Sequence, residues 1–189
     1  MSETLGPIHT WVFNKIKFQE KEVERLLSLK DGLNVDDAAG VVEKGTLEEI
    51  VDIKNIHGFL QIRINITEKR LALTVERLLD SGIKLDKIKE TLFEFGVENS
   101  FEKTTRPQKA YENLNALMVN GMPCDKVEIV VKNTESRVVF HDNLDIHTEY
   151  WKNKETYQIL KDEVIKGLLS NTNLSYSHLE ERTFLLEEN

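Results

Sequence analysis

The sequence predicts a mostly helical α+β fold: a helical bundle around one long central helix, with a small antiparallel sheet made of a hairpin and a C-terminal strand. Three observations predict it. Apolar residues recur at helical spacing through most of residues 7–119. The period shifts to that of strands over residues 126–140. A last amphipathic run and a β-rich tail then close the chain. Helices followed by a hairpin, a helix and a strand give a sheet covered on one face. The 189 residues read as one domain, with a helical part at 1–121 and a hairpin–helix–strand part at 122–189.

The first helix opens at Gly6-Pro7, since proline suits a first helical turn. Ile8, Trp11, Val12, Ile16, Val23, Leu26 and Leu27 form its apolar face, and Lys30-Asp31-Gly32 ends it. His9 falls at the edge of that face on the Leu27 side, with Glu20 just beyond. Residues 33–45 form a connector in which Asp36–Val42 could make a short helix capped by Asp36, though Gly40 weakens it.

Thr46-Leu47-Glu48-Glu49 is a capping box, and it opens the central helix. Ile50, Ile53, Leu60, Ile64, Leu71, Val75 and Leu78 follow at helical spacing up to Ser81-Gly82. One helix over Thr46–Leu79 would be roughly 50 Å long. That length calls for a bend near Gly58 or a packing partner from a second subunit. Ile50, His57, Ile64, Leu71 and Leu78 share a stripe at every seventh residue, so His57 stands where the pattern asks for an aliphatic side chain. Gln61 and Glu68 fall on the same side. Burying an imidazole, an amide and a carboxylate costs several kcal/mol (roughly) unless each finds a partner. The commoner outcome is a satisfied core histidine; the sharper one is a ligand or metal site. His57 and Glu68 lie about 16 Å apart along a continuous helix, so they cannot share an ion.

After Gly82 a short helix runs to Phe95, with Ile88, Leu92 and Phe93 inward and Gly96 beyond its end. The polar loop 97–106 ends at Thr104-Thr105-Arg106. Pro107 starts a helix to Val119, stopped by Asn120-Gly121. Lys126–Val131 and Arg137–Phe140 then form a hairpin. The last long helix, Lys152–Leu169, turns Tyr157, Leu160, Val164, Ile165 and Leu168 inward. The tail Leu174–Leu186 supplies one or two strands through Tyr176, Leu179, Phe184 and Leu186.

Composition excludes several classes. A net charge of −8 argues against a nucleic-acid binder, which needs a basic surface. No apolar run reaches the length of a membrane span, and Met1-Ser2-Glu3-Thr4 does not start a signal peptide. The single cysteine, Cys124, excludes an internal disulfide and fits a reducing cytoplasm.

Cys124 lies in the loop Asn120–Asp125, whose backbone Gly121 and Pro123 restrict. Beyond the hairpin come His141-Asp142 and the segment Asp145–Trp151. Three chemistries are open. Cys124 and His147, with His9 or His57, would suit zinc or iron, which take three or four thiolate and imidazole ligands. Cys124 could instead be a nucleophile activated by a histidine, as in a cysteine-dependent hydrolase. Or Cys124 is an apolar filler, as free cysteines often are. Asp145 has a local reading as a helix N-cap. Met122 and Trp151 could wall a pocket.

The hairpin Lys126–Phe140, the helix ending Gly167-Leu168-Leu169 and the closing region Tyr176–Leu186, about a third of the chain, resemble the small-molecule-binding domain of the 4-vinyl reductase type and related thiazoline-carboxylate hydrolase-like proteins. Where that family usually places a cysteine in its last hairpin, this chain reads Ser177, His178, Leu179, Glu180. The resemblance implies a pocket between helices and a curved sheet, commonly in a dimer.

The leading expectation is therefore a cytoplasmic protein, homodimeric, that binds zinc, iron or a small ligand in a polar pocket along the central helix. His9, His57, Cys124 and His147 would be metal ligands, with Gln61, Glu68, Asp145 and Trp151 beside them as orienting or ligand-contacting groups. The alternative is a non-catalytic, metal-free interaction or regulatory dimer whose buried polar residues set helix register.

Overall fold

The computed structural model describes residues 4–103 and 106–189, so Thr104 and Thr105 of the expected polar loop lie outside the described residues. The elements are α1 (Pro7–Leu27), α2 (Asp36–Ala39), α3 (Leu47–Ile50), α4 (Ile56–Asp80), α5 (Leu85–Glu98), α6 (Pro107–Leu117), β1 (Glu128–Asn133), β2 (Arg137–Asp142), α7 (Lys154–Leu169), β3 (Leu174–Glu180) and β4 (Thr183–Glu188). The class is α+β and mostly α, as the sequence predicts.

The central helix is shorter than the sequence suggests. Thr46 and Glu49 do form the capping contact, with Thr46 N–H donating to Glu49 Oε2 at 2.9 Å. But α3 ends after one turn, because Val51 is extended. Asp52 then accepts from Lys54 N–H at 3.0 Å, and Asn55 accepts from Gly58 N–H. These short polar side chains offer the backbone a local alternative to the helix. The 25 residues of α4 give a length of roughly 37 Å, and Gly58 lies in its first turn rather than at a bend. The helix-length argument for a partner subunit lapses accordingly.

The α2 segment and the rest of the 33–45 connector are tied to α4 by Arg70. Its guanidinium donates to Glu20 Oε2 at 2.9 Å, to Gly40 O at 2.8 Å and to the Asp36 carboxylate.

The α5 helix runs past Gly96, which the sequence reads as a stop. Gly96 instead meets Gly167 of α7. A Cβ on Gly96 would stand 2.5 Å from Val164 O, and one on Gly167 would strike Phe93 O. Two absent side chains therefore let α5 and α7 cross backbone to backbone. The crossing rotates α5 so that Phe95 is buried and Phe93, expected inward, is exposed.

Both expected sheet segments form, and the tail gives two strands. The antiparallel order is β1-β2-β4-β3. The central strands bury Val138, Phe140, Phe184 and Leu186 against the helices. Leu179 lies in β3, one of the expected tail strands, and is exposed. One apolar cluster joins Phe18, Leu71 to Leu78, α5, α6, α7 and the sheet; a smaller one packs the first half of α1 on Leu47, the start of α4, Val119 and Met122. Among the described residues no helix is long and apolar enough to cross a membrane.

Candidate functional site

Of the four expected metal ligands, the structure brings only His9 and His57 into contact. Their Nε2 atoms stand 3.4 Å apart. Two nitrogens on a tetrahedral zinc stand roughly that far apart, at about 2.05 Å from the ion. The tautomer argues otherwise. His9 Nδ1 accepts Gly6 N–H at 2.9 Å, so the ring proton lies on Nε2, and a protonated nitrogen cannot ligate. The pair is therefore a hydrogen bond from His9 to His57 that joins the starts of α1 and α4. Among the described residues no group of three or more His, Cys, Asp or Glu is placed to hold a metal ion.

Burial corrects the heptad stripe as well. His9, expected at an edge, is buried, whereas His57 is exposed. The turn at Asp52–Asn55 separates Ile50 from α4, so the phase carried from Ile50 does not reach residue 57. Gln61 is also exposed and donates to Asn65 Oδ1 at 3.0 Å. Cys124 is exposed, with Sγ 3.6 Å from Asp125 Oδ1, so it is neither a core filler nor backed by an imidazole. Asp145 accepts Thr148 N–H at 3.1 Å and the Thr148 hydroxyl, which is the local capping role. Trp151 is buried, and its Nε1 has no hydrogen-bond partner among the described residues. It walls a void of about 20 Å³ shared with Gln19, Glu22 and Lys161.

Glu68 and His147 meet each other instead. Both are almost wholly buried, and His147 Nδ1 stands 3.2 Å from Glu68 Oε1. The approach is too angled for a well-formed hydrogen bond, so the two groups are in close polar contact with the carboxylate behind the ring. A carboxylate at that distance favours the proton on Nδ1 and leaves the Nε2 lone pair as an acceptor. The imidazole is held flat by Tyr157, stacked at 4.5 Å between centroids and 18°.

His147 lines a pocket of about 320 Å³ formed by residues 142–148, the first turns of α7 (residues 154–158) and the β3–β4 turn (residues 178–182). A second imidazole on this pocket, His178, repeats the arrangement. Its Nε2 donates to both Asp162 oxygens, at 3.0 and 2.9 Å. Asp162 also accepts from Gln158 at 2.8 Å and from the Tyr176 hydroxyl at 3.0 Å. That places the His178 proton on Nε2 and leaves Nδ1 as the acceptor. Asp142 is buried on the same pocket, whereas His178 is exposed at its rim. Asp142 Oδ2 accepts from the buried Lys161 at 3.2 Å, while Oδ1 has no hydrogen-bond partner among the described residues. Arg182 closes the rim from a left-handed backbone with φ 62°, a conformation uncommon for a side-chain-bearing residue. Its carbonyl accepts Asp142 N–H at 2.9 Å, and its guanidinium donates to Asp142 O.

Sequence reasoning missed His178, Asp162 and Arg182 as site residues. The Gln158–Asp162 spacing of four along α7 is a readable signal for that pair. Nothing in the linear order joins Asp162 to His178, which only the β3 pairing brings over α7. Comparison of the chain with protein-family models, with curated proteins and with solved structures gives no match at any of the three.

Proposed function

We propose that this protein binds a small organic molecule in the pocket between residues 142–148, the start of α7 and the β3–β4 turn. One observation carries the reading: two imidazoles on one pocket, His147 and His178, each with a carboxylate behind it. A carboxylate-backed imidazole has a fixed ring and a defined acceptor nitrogen, the arrangement used to receive a proton or hydrogen bond from a ligand. The volume of about 320 Å³ falls at the small end of ligand pockets. Tyr157 and Leu144 supply apolar wall beside the polar groups.

The test is a thermal-shift screen of a small-molecule collection against the wild type, H147A and H178A. A ligand of this pocket raises the wild-type midpoint, since binding only the folded state stabilises it. The shift is expected to fall by more than half in each variant. Equal shifts in all three proteins would remove the pocket from consideration.

A second reading keeps zinc or iron at His9 and His57, favoured by their 3.4 Å separation alone. It requires the Gly6–His9 contact to break and further ligands to come from water or a second chain. Metal content by mass spectrometry on protein purified without a histidine tag decides it: a metal at one per chain, lost in H9A, would establish this reading.

A further inference from the structure

We infer that the ligand of this pocket is an organic amine, bound as its ammonium ion. This rests on the reading of the pocket as a small-molecule site and goes further by fixing the chemical class. The unpartnered buried atoms on the lining residues are the first observation. Asp142 and His147 are each more than nine-tenths buried, and Asp142 Oδ1 and both ring nitrogens of His147 have no hydrogen-bond partner among the described residues; with the ring proton on the Glu68 side, Nε2 is the acceptor left. His178 Nδ1 adds a third acceptor at the rim, because its Nε2 is committed to Asp162. Acceptors demand a donor, and an ammonium group presents up to three N–H bonds and no lone pair.

Charge is the second observation. Asp142, Asp145, Glu155 and Glu181 line the pocket against Lys154 and Arg182. Arg182 donates from one terminal nitrogen to the Asp142 carbonyl, and the cation behind the wall, Lys161, donates to Asp142 Oδ2. Glu68 and Asp162 add negative charge directly behind the two rings. The four carboxylates on the lining outnumber Lys154 and Arg182, and with Glu68 and Asp162 behind the two rings the field favours a cationic ligand over a carboxylate or phosphate. The stacked His147 and Tyr157 rings give an aromatic flank for the carbon skeleton.

The experiment uses three probes that share one ring and differ at the far end: tyramine, 3-(4-hydroxyphenyl)propionate and 4-ethylphenol, titrated calorimetrically into the wild-type protein. Tyramine is expected to bind about tenfold or more tighter than either analogue, the size of one good charge-assisted contact. H147A is expected to weaken all three. If the acid or the neutral probe binds as tightly as tyramine and H147A weakens it, the pocket stands and the amine assignment falls. If none of the three binds, or binding ignores both H147A and H178A, the pocket reading falls with it. The wild-type comparison decides the point even where a D142N variant, which strands Lys161, fails to fold. A parallel pair, n-butylamine and Nα-acetyl-lysine methylamide, separates a free metabolite from a lysine on another protein. Butylamine bound the tighter supports the first source, and equal affinity the second.

Discussion

Glu22 is fully buried beside Glu68, and burial, with the Glu68 charge second, pushes its carboxyl up to about 8. Between the ordinary 4.5 and about 8 the folded protein holds a proton that the unfolded chain has released. Stability contributed by this group is therefore full below 4.5 and falls as pH rises to about 8. E22Q keeps the shape and cannot ionise. Its stability gain over the wild type is expected to be small at pH 5 and to grow to a few kcal/mol (order of magnitude) by pH 8. Urea melts at the two pH values measure it, and a gain independent of pH would contradict the buried-carboxyl picture. Lys15, held down to about 8 by burial, acts only above that window, where it adds stability as pH rises to 10.5. At the same scale, Cys124 is exposed and remote from the pocket residues in its contacts. Alkylating it with iodoacetamide is expected to leave both the melting midpoint and ligand binding unchanged. Loss of binding would bring the loop 120–125 into the site.

The α5–α7 pair shows why element-level reading of glycine is ambiguous. Gly96 satisfies every local sign of a helix end, yet its use is close approach to Gly167. That use exists only when residue 167 is present across the contact. G96A gains about 1 kcal/mol of helix propensity and must place its Cβ 2.5 Å from a backbone oxygen. The net expected effect is destabilisation by roughly 1–3 kcal/mol, since neither backbone can yield without shifting a helix. Chemical denaturation checks it, and a G96A protein as stable as the wild type would mean the helices slide freely. Arg70 sets a second element-scale expectation. R70A strips the guanidinium from the Glu20 carboxylate, which keeps the Thr67 hydroxyl, and releases the Asp36 and Gly40 contacts. Removing one member of such a pair costs about 3 kcal/mol or more. Hydrogen exchange is expected to accelerate across residues 33–45 first, ahead of α4, and exchange that rises only globally would place the anchor elsewhere. The broken central helix belongs here too. Its capping box at Thr46 is plain in the sequence, but Asp52 and Asn55 act through their own backbone contacts, which a heptad count does not weigh.

Across the whole molecule, the architecture was legible because it depends on period, and period is local. The change from helical spacing to alternation near residue 126 survives in the observed hairpin, and the tail adds the third and fourth strands. The site was legible only in part, because it depends on pairing between distant segments. Glu68 and His147 could each be singled out as polar residues on core-facing ground, but their contact joins α4 to the turn after β2 across 79 positions (147 − 68). His57 drew attention through a stripe that the turn at 52–55 interrupts. His178 carried no signal, because Asp162 reaches it only after β3 has folded back on α7. The pocket thus sits where the helical part and the sheet meet, and its polar groups come from both.

The most direct measurement is long-range ¹H–¹⁵N correlation of the five imidazoles in histidine-labelled protein, recorded with and without tyramine. The expected spectrum without ligand has His147 protonated on Nδ1 and His178 and His9 on Nε2, and tyramine shifts His147 and His178 while His9 and His57 stay in place. Protonation of His147 on Nε2 in the free protein, or tyramine shifts confined to His9 and His57, would contradict the assignment of this pocket.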